Sequence, residues 1–458
     1  LTLADAVNDF YSSTGQNQHA IGQPIDERWR VQEAAIQNTH RELERRMALF
    51  STFGATAAGG IHRPEATPAN GEARRALVDW LEGAGFAVRV DPIGNIFGLL
   101  ELGVPEAPWL MTGSHIDSQP NGGRFDGTYG VVAAAIAAID LRDRLAAAGQ
   151  QPAMNLVVAA WTNEEGARFQ PSVLGSSAYV GNIELDWALA RTDRDGVSVA
   201  EALDAIGFRG SDAPAPRPAA YVELHIECGP LLERAGRRLG TFDRWWGCHK
   251  LEIRFVGRPA HTGPTPMAER RDALLAAAAV ITGVRRLVDA HPEGDLHTSV
   301  GRIEVEPNSP NVVPSAATIF LELRSADPAV LERSFVQTRQ LIEDAAAATG
   351  VTWSFVRDEL RRPGRFAVGL QALANEVAAG LGHPAMRLDT IAAHDAVPLA
   401  RLCPSIVVAV PSVGGICHAP EEFTEPADLM LGLDLLSSML ERLATEGPEL
   451  IATLERKT

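Results

Sequence analysis

Residues 109–166 read WLMTGSHIDSQPNGGRFDGTYGVVAAAIAAIDLRDRLAAAGQQPAMNLVVAAWTNEEG. The apolar runs Trp109 to Ser114 and Asn155 to Thr162 have the length of strands, and the Ala/Leu stretch Val131 to Ala148 between them has the length of a helix. Strand, helix and strand in succession predict an α/β sheet with crossover helices. In such sheets ligands collect beyond the carboxyl ends of the strands. The polar clusters that follow WLMTGS and NLVVAAWT therefore stand where a site belongs.

Further along, from about Trp246, the texture changes. Strand (Lys250 to Val256), helix (Arg271 to Val288), strand (Thr298 to Val305), strand (Ala317 to Arg324), helix (Ala329 to Ala347) and strand (Val351 to Val356) follow one another. That order predicts a ferredoxin-like α+β unit inserted into the first domain. The α/β pattern then resumes with a helix from Leu370 to Leu381, a strand from Ser405 to Val410 and a final helix near Ala427 to Thr445. The expected division is a catalytic α/β domain over residues 20–240 and 356–458, interrupted by a second domain over residues 241–355.

Composition bounds the function. The 458 residues carry a formal net charge of -17 and no Lys/Arg block, which disfavours nucleic acid and anionic lipid as partners. No apolar run approaches the roughly 20 residues of a membrane helix, and Asp5 and Asp9 fall where a signal peptide needs a basic start and an apolar core. The 4 cysteines, Cys228, Cys248, Cys403 and Cys417, show no CxxC spacing and read as reduced thiols. The expectation is a cytoplasmic protein acting on small molecules.

Dense polar chemistry lies in GSHIDSQPNGGRFDGTYG (Gly113 to Gly130), WTNEEGARFQ (Trp161 to Gln170), VELHIECGP (Val222 to Pro230) and GGICHAPEE (Gly414 to Glu422). Each has an ordinary alternative. His115 and His418 could be loop histidines, His225 a packed strand histidine, Asp126 part of an Asp-Gly turn, and Glu164 with Glu165 a solvated helix start. Yet all fall at predicted strand ends of one sheet. Together, three imidazoles, one carboxylate in a Gly-rich turn and a Glu pair make a ligand set for two divalent ions, zinc first, with manganese, cobalt or nickel also suited. Such a centre activates water for amide hydrolysis.

The pieces GSHIDS, GGRFDG, NEEGARF, ELHIE, GRPAHTGPTPM, RRDA, PNSPNVVP, LELRSAD, HDA and VPSVGGICHAPEE occur in this order along nearly the whole chain. With them the chain resembles the M20-type metallo-amidohydrolases of the hydantoinase/carbamoylase branch, which includes N-carbamoyl-L-amino-acid hydrolases, β-ureidopropionases and allantoate amidohydrolases. The resemblance implies a discontinuous catalytic α/β domain and an inserted ferredoxin-like lid through which the protein forms a homodimer. It also implies that Asp126 bridges two metal ions, with His115 and His225 on one and Glu165 and His418 on the other. Glu164 would be the general base, Asp117 the carboxylate orienting a ligand imidazole, and His261 the group polarising the scissile carbonyl. Asn311 and Arg324 would hold the free carboxylate of a small N-substituted amino acid, and His394 would lie near the site. His19, His40, His62, His249, His291, His297 and His383 read as surface or packed histidines.

Departures from the family pattern concern the acyl side of the pocket. Cys228 replaces a usual Gln, and a thiol is a weak donor. Ile391 and Ala393 replace glycines where backbone comes close to substrate. Phe242, Trp245 and Trp246 add bulk ahead of the insert, and Leu399 replaces a Met. The leading expectation is a binuclear hydrolase of N-carbamoyl-L-amino acids or related ureido acids. The alternative is the same machinery acting on amino acids with a bulky or aromatic N-acyl group. A non-catalytic binding protein would show the loss of a ligand or of Glu164, and neither is lost.

Overall fold

The computed structural model describes residues 25–103, 106–292 and 294–456, with side chains described from Ile36 onward. The chain divides into two compact units. One runs to Asp243 and includes Phe366–Leu388 and Ala393–Thr458; the other comprises Arg244–Arg365 and Asp389–Ala392. His19 lies outside the described residues.

The first unit is built on a mixed sheet in the order Ala87–Val90, Ile96–Leu100, Asn155–Trp161, Trp109–His115, Pro218–Ile226, Ser405–Val410 and Gly240–Trp245. Its four central strands, from Asn155–Trp161 to Ser405–Val410, are mutually parallel, and the flanking pairings are antiparallel. Parallel strands are covered on both faces and so read as continuous apolar runs; every residue of Asn155–Trp161 and of Ser405–Val410 is buried. The helix Thr128–Ala148 is the crossover between Trp109–His115 and Asn155–Trp161, and it begins two residues beyond Asp126.

That helix is buried almost all round through its first ten residues, Thr128 to Ala137, which are mostly small or β-branched. Small side chains let it lie directly on the sheet, and Gly130 marks the closest approach. A Cβ there would stand 2.2 Å from the Leu224 carbonyl oxygen and 2.9 Å from Ser114 Cβ. The neighbouring Tyr129 hydroxyl donates to the Leu429 carbonyl at 2.6 Å and ties the helix to Pro426–Glu446. The start of the helix, and with it Asp126, is thereby seated against the strands that carry His115 and His225.

In the second unit the strands Gly247–Val256, His297–Glu306, Ala316–Ser325 and Thr352–Arg361 form an antiparallel sheet in the order fourth, first, third, second. The helices Ala273–Val288 and Pro328–Thr349 join them and share one core with the sheet. Two of the motifs quoted above are helix starts. Asp272 of RRDA accepts the Leu275 N–H at 3.0 Å, and Asp327 of LELRSAD accepts the Ala329 N–H at 2.8 Å ahead of Pro328. The outer strand Thr352–Arg361 alternates exposed and half-buried residues, as a sheet with one open face does. It runs five residues past the predicted end at Val356, because pairing with Gly247–Val256 continues to Arg361. Among the described residues no helix is long and apolar enough to cross a membrane.

The backbone contact at Gly130 carries a consequence for stability. Gly130→Val should destabilise the chain by about 1–3 kcal/mol through overpacking against Leu224 and Ser114. A thermal-unfolding midpoint within a degree of the parent would show that the helix can shift to accommodate a side chain.

Candidate metal centre

The carboxyl ends of the four parallel strands bring together residues from all four polar segments. His115 is the last residue of its strand, and Glu164 and Glu165 follow Asn155–Trp161 after a short turn. His225 is the penultimate residue of Pro218–Ile226, and His418 lies in the loop after Ser405–Val410. Asp126 stands ahead of the crossover helix, next to Gly127 at φ 62, where a Cβ would lie 2.3 Å from the His115 ring. A glycine is required there for the turn and for the room the imidazole needs.

The two oxygens of Asp126 face different partners. Oδ1 lies 3.1 Å from His225 Nε2 and 3.6 Å from His115 Nε2, whereas Oδ2 lies 3.1 Å from His418 Nε2. His418 Nε2 is also 3.2 Å from Glu165 Oε2. His115, Asp126 and His225 are buried and their ligand atoms converge within 4.8 Å of one another. The structure brings these residues of strand, turn and loop into one cluster. His418 is the most exposed member, with a backbone φ of 58 that turns its ring inward from the loop. Left-handed backbone at a residue other than glycine costs free energy and clusters at functional positions.

The electrostatics are those of a cation site. Burial works against charge on His115, but Glu164, Asp117 and Asp126 raise its pKa well above the usual imidazole value. Hydrogen bonds to Asp126 and Glu165 push His418 up to about 11. Burial alone would raise Asp126, yet the hydrogen bonds from His115, His225 and His418 hold it well below the ordinary carboxylate range. The cluster thus favours positive charge between its carboxylates, and a divalent ion held by these residues would supply it in place of the imidazole protons. Imidazole nitrogen and carboxylate oxygen suit zinc or another first-row ion.

Glu164 differs from its neighbour. Its Oε2 lies 3.5 Å from His115 Nε2, while its Oε1 is buried without a hydrogen-bond partner. Burial pushes its carboxyl well above the usual range, reinforced by Asp395, Glu165 and Asp117 and opposed by His115. Glu165 instead accepts from the Gln119 backbone N–H at 3.1 Å and side-chain amide at 3.0 Å. One member of the pair is thereby fixed at the cluster, and the other is held with an open oxygen. A solvated helix start would leave both in water.

Asp117 serves both sides of this arrangement. Its Oδ1 is 3.4 Å from His115 Nδ1, and its two oxygens accept the backbone N–H groups of Glu164 and Glu165 at 3.3 Å each. Other positioning groups were not among the candidates the sequence suggested. Glu422 accepts the N–H groups of Phe125 and Asp126 at 2.8 and 3.2 Å, and burial with the nearby Asp126 charge pushes it up to about 7. A fully buried Glu65–Arg74 pair at 2.8 Å holds the turn before Glu164, since Glu65 Oε2 accepts the Asn163 N–H at 2.9 Å. The second Glu of APEE could have been suspected from the motif. Glu65 and Arg74 lie about a hundred residues before the segment they support, and nothing local marks them.

The remaining candidates fall as follows. His394 packs edge-on to the His225 ring, centroids 4.6 Å apart, and its ring centroid is 5.5 Å from that of Phe242. Ala393 is half-buried just ahead of it. Cys228, also half-buried and at φ 54, lies 3.9 Å from Asp126 Oδ2. In the second unit, Ala260–His261 pairs with Val312–Val313, and the Thr262 N–H donates to the Asn311 carbonyl at 3.3 Å, so His261 and Asn311 share one exposed ribbon. Arg324 stands on a different strand, half-buried, lining a cavity of ≈ 500 Å³ with His297, Glu322 and Ile391. Its Nε and Nη2 donate to Glu322 Oε2 at 3.0 and 2.6 Å, and Nη1 donates to the Ile391 carbonyl at 2.6 Å. Trp246 is buried within the second unit, its ring 4.9 Å from His297, whereas Trp245 is half-buried with its indole N–H on the Arg362 carbonyl.

Comparison with known proteins places this geometry. The family model for peptidase family M20/M25/M40 matches residues 111–442. A protein of Mycolicibacterium smegmatis with the general description hydrolase is 42% identical over 88% of this chain and 93% of its own length. The N-carbamoyl-L-amino-acid amidohydrolase of Rhizobium meliloti is 35% identical over 84% of this chain and 92% of its own. Among solved structures, an amidase of the hydantoinase/carbamoylase family from Burkholderia vietnamiensis superposes with a TM-score of 0.82 at 35% identity, covering 88% of this chain and 97% of that one.

If Asp117 orients His115 and the Glu164–Glu165 backbone, Asp117→Ala should lower zinc affinity by about 10–100-fold. Metal content after dialysis against a graded zinc buffer measures it, and parent-like retention would remove Asp117 from the centre.

Proposed function

Because the chain belongs to peptidase family M20/M25/M40 and is an amidohydrolase of that family, we propose that it hydrolyses the ureido C–N bond of N-carbamoyl-L-amino acids or a related ureido acid with a binuclear metal centre. The observation that carries the reading is the division of Asp126, one oxygen toward His115 and His225 and the other toward His418 beside Glu165, with Glu164 Oε1 open next to it. In this reading His115, Asp126 and His225 hold one ion, and Asp126, Glu165 and His418 the other. When bound, two such ions polarise the scissile carbonyl and make a water acidic near neutral pH.

The chain's own residues supply the rest. Glu164 takes the proton of the attacking water at its open oxygen and delivers it to the leaving nitrogen; its raised pKa suits a group that must both accept and donate. His261 stabilises the oxygen of the tetrahedral intermediate. Asn311 and Arg324 hold the substrate carboxylate. Of the five guanidinium N–H donors, three are already engaged by Glu322 and Ile391, which hold the planar fork and leave two for the substrate. The second unit acts as a ferredoxin-like lid. It is also proposed to form the homodimer contact, consistent with the exposed apolar side chains Ile303, Val356 and Leu360 on its two outer strands. A cytosolic setting fits the free cysteines.

The bulky-acyl alternative rests on Cys228, Ile391 and Trp246. Trp246 packs on His297 and donates toward Asp389 within its own unit, which accounts for it as packing. The relatives' names also point to carbamoyl chemistry, so the ureido reading is preferred.

Product release from the metal-reconstituted protein, given N-carbamoyl amino acids, allantoate, and N-acetyl and N-benzoyl amino acids, tests the assignment. Ammonia from the carbamoyl set is expected, whereas turnover confined to bulky acyl substrates would reverse the preference. Glu164→Gln should keep both metals and reduce kcat by at least about 10²–10⁴-fold, the usual share of general acid–base catalysis. Retained turnover would reject Glu164 as the base. Arg324→Ala should raise KM about 10–100-fold for carboxylate-bearing substrates, the loss of one charge-assisted contact. An unchanged KM would end the clamp assignment.

A further inference from the structure

Two cysteines far apart in sequence meet beside the metal centre. Cys228 follows the strand that carries His225, and Cys417 immediately precedes His418; their sulfurs lie 2.7 Å apart. Carbon atoms at rest against one another stand about 3.5–4.0 Å apart, and a disulfide bond is about 2.05 Å long. The pair is thus closer to bonding distance than to ordinary contact. Cys417 Sγ also lies 3.1 Å from Asp126 Oδ2 and donates to it.

The surroundings hold the thiols together. Gly415 lies against the other segment so closely that a Cβ would stand 2.7 Å from Pro230, and its φ of 67 is one a glycine adopts without strain. The Gly414 N–H donates to Glu233 Oε2 at 3.0 Å, which fastens the two loops a second time. Cys228 and the residue after Cys417, His418, both sit at left-handed φ, 54 and 58. Both cysteines are half-buried, whereas Cys248 and Cys403 are fully buried.

We infer that Cys228 and Cys417 form a reversible covalent modification site: a dithiol that closes to a disulfide under hydrogen peroxide and ties the His418 loop to the strand end bearing His225. The first sulfur takes one peroxide oxygen as sulfenic acid and releases water. The second thiol then displaces that oxygen as a second water, forming the S–S bond as two electrons pass from the sulfurs to the peroxide. A dithiol reductant returns both thiols. Closure removes the S–H that donates to Asp126 and fixes the loop carrying His418. For that reason, and resting here on the hydrolase reading above, the oxidised chain turns over at least tenfold more slowly.

The test uses the full metal-loaded chain, treated with a small excess of hydrogen peroxide and then with dithiothreitol. The expected result is loss of two titratable thiols, a mass lower by two hydrogens, and a proteolytic fragment joining the Cys228 and Cys417 peptides, all reversed by the reductant. In both C417S and C228S the joined fragment should be absent. The inference is overturned if peroxide yields no joined fragment in the parent, or if the lost thiols belong to Cys248 or Cys403. Formation of the disulfide with unchanged hydrolysis would overturn the effect on turnover alone. The thiol count and the fragment require no substrate, so failure of the hydrolase reading would appear separately, as no turnover by the reduced chain.

Discussion

One buried carboxylate with imidazoles on both of its oxygens organises this protein's chemistry. Asp126 can occupy that place only because its backbone N–H is held by Glu422, its neighbour Gly127 makes room for the His115 ring, and the helix that follows is pressed onto the sheet at Gly130. A carboxylate so placed in water-poor surroundings is costly unless opposite charge balances it. His115, His225 and His418 provide that balance, and the same set of groups is suited to holding a divalent cation.

The same constraint explains why so much of the surrounding polar structure is buried. Asp117 and Glu65 stand beside the cluster and accept the backbone N–H groups of residues 163–165, which present Glu164 and Glu165, while Arg74 holds Glu65. Such groups fix a geometry that loop backbone alone would leave loose. Glu322 stands to Arg324 in the same relation in the second unit. A planar guanidinium gripped on one edge offers its other donors in a set direction.

Much of this was legible before any coordinates. The alternation of buried runs and Ala-rich helices marked the parallel sheet because strands covered on both faces need apolar residues throughout. His115, Asp126, the Glu pair, His225 and His418 were recognisable because strand ends in such a sheet converge on one edge. The second unit's strand and helix order was readable from periodicity, though the length of Thr352–Arg361 was not, since pairing with a neighbour extends a strand beyond its own apolar pattern. The tryptophans before the insert suggested a pocket wall, and for Trp246 the structure gives packing on His297 instead.

What the sequence determined by itself was the inventory: which side chains could bind a cation, which could move a proton, and which elements carry them, because those follow from residue chemistry and local periodicity. Only the tertiary structure decided the pairings between distant segments. Glu164 became the open carboxylate and Glu165 the anchored one because Gln119 reaches the second and not the first. Glu65 came to support a turn far along the chain, and Cys228 came to rest against Cys417 across 189 residues. Such contacts arise from how layers pack and loops return, and no local pattern encodes the distance between two groups that meet only after the chain has folded.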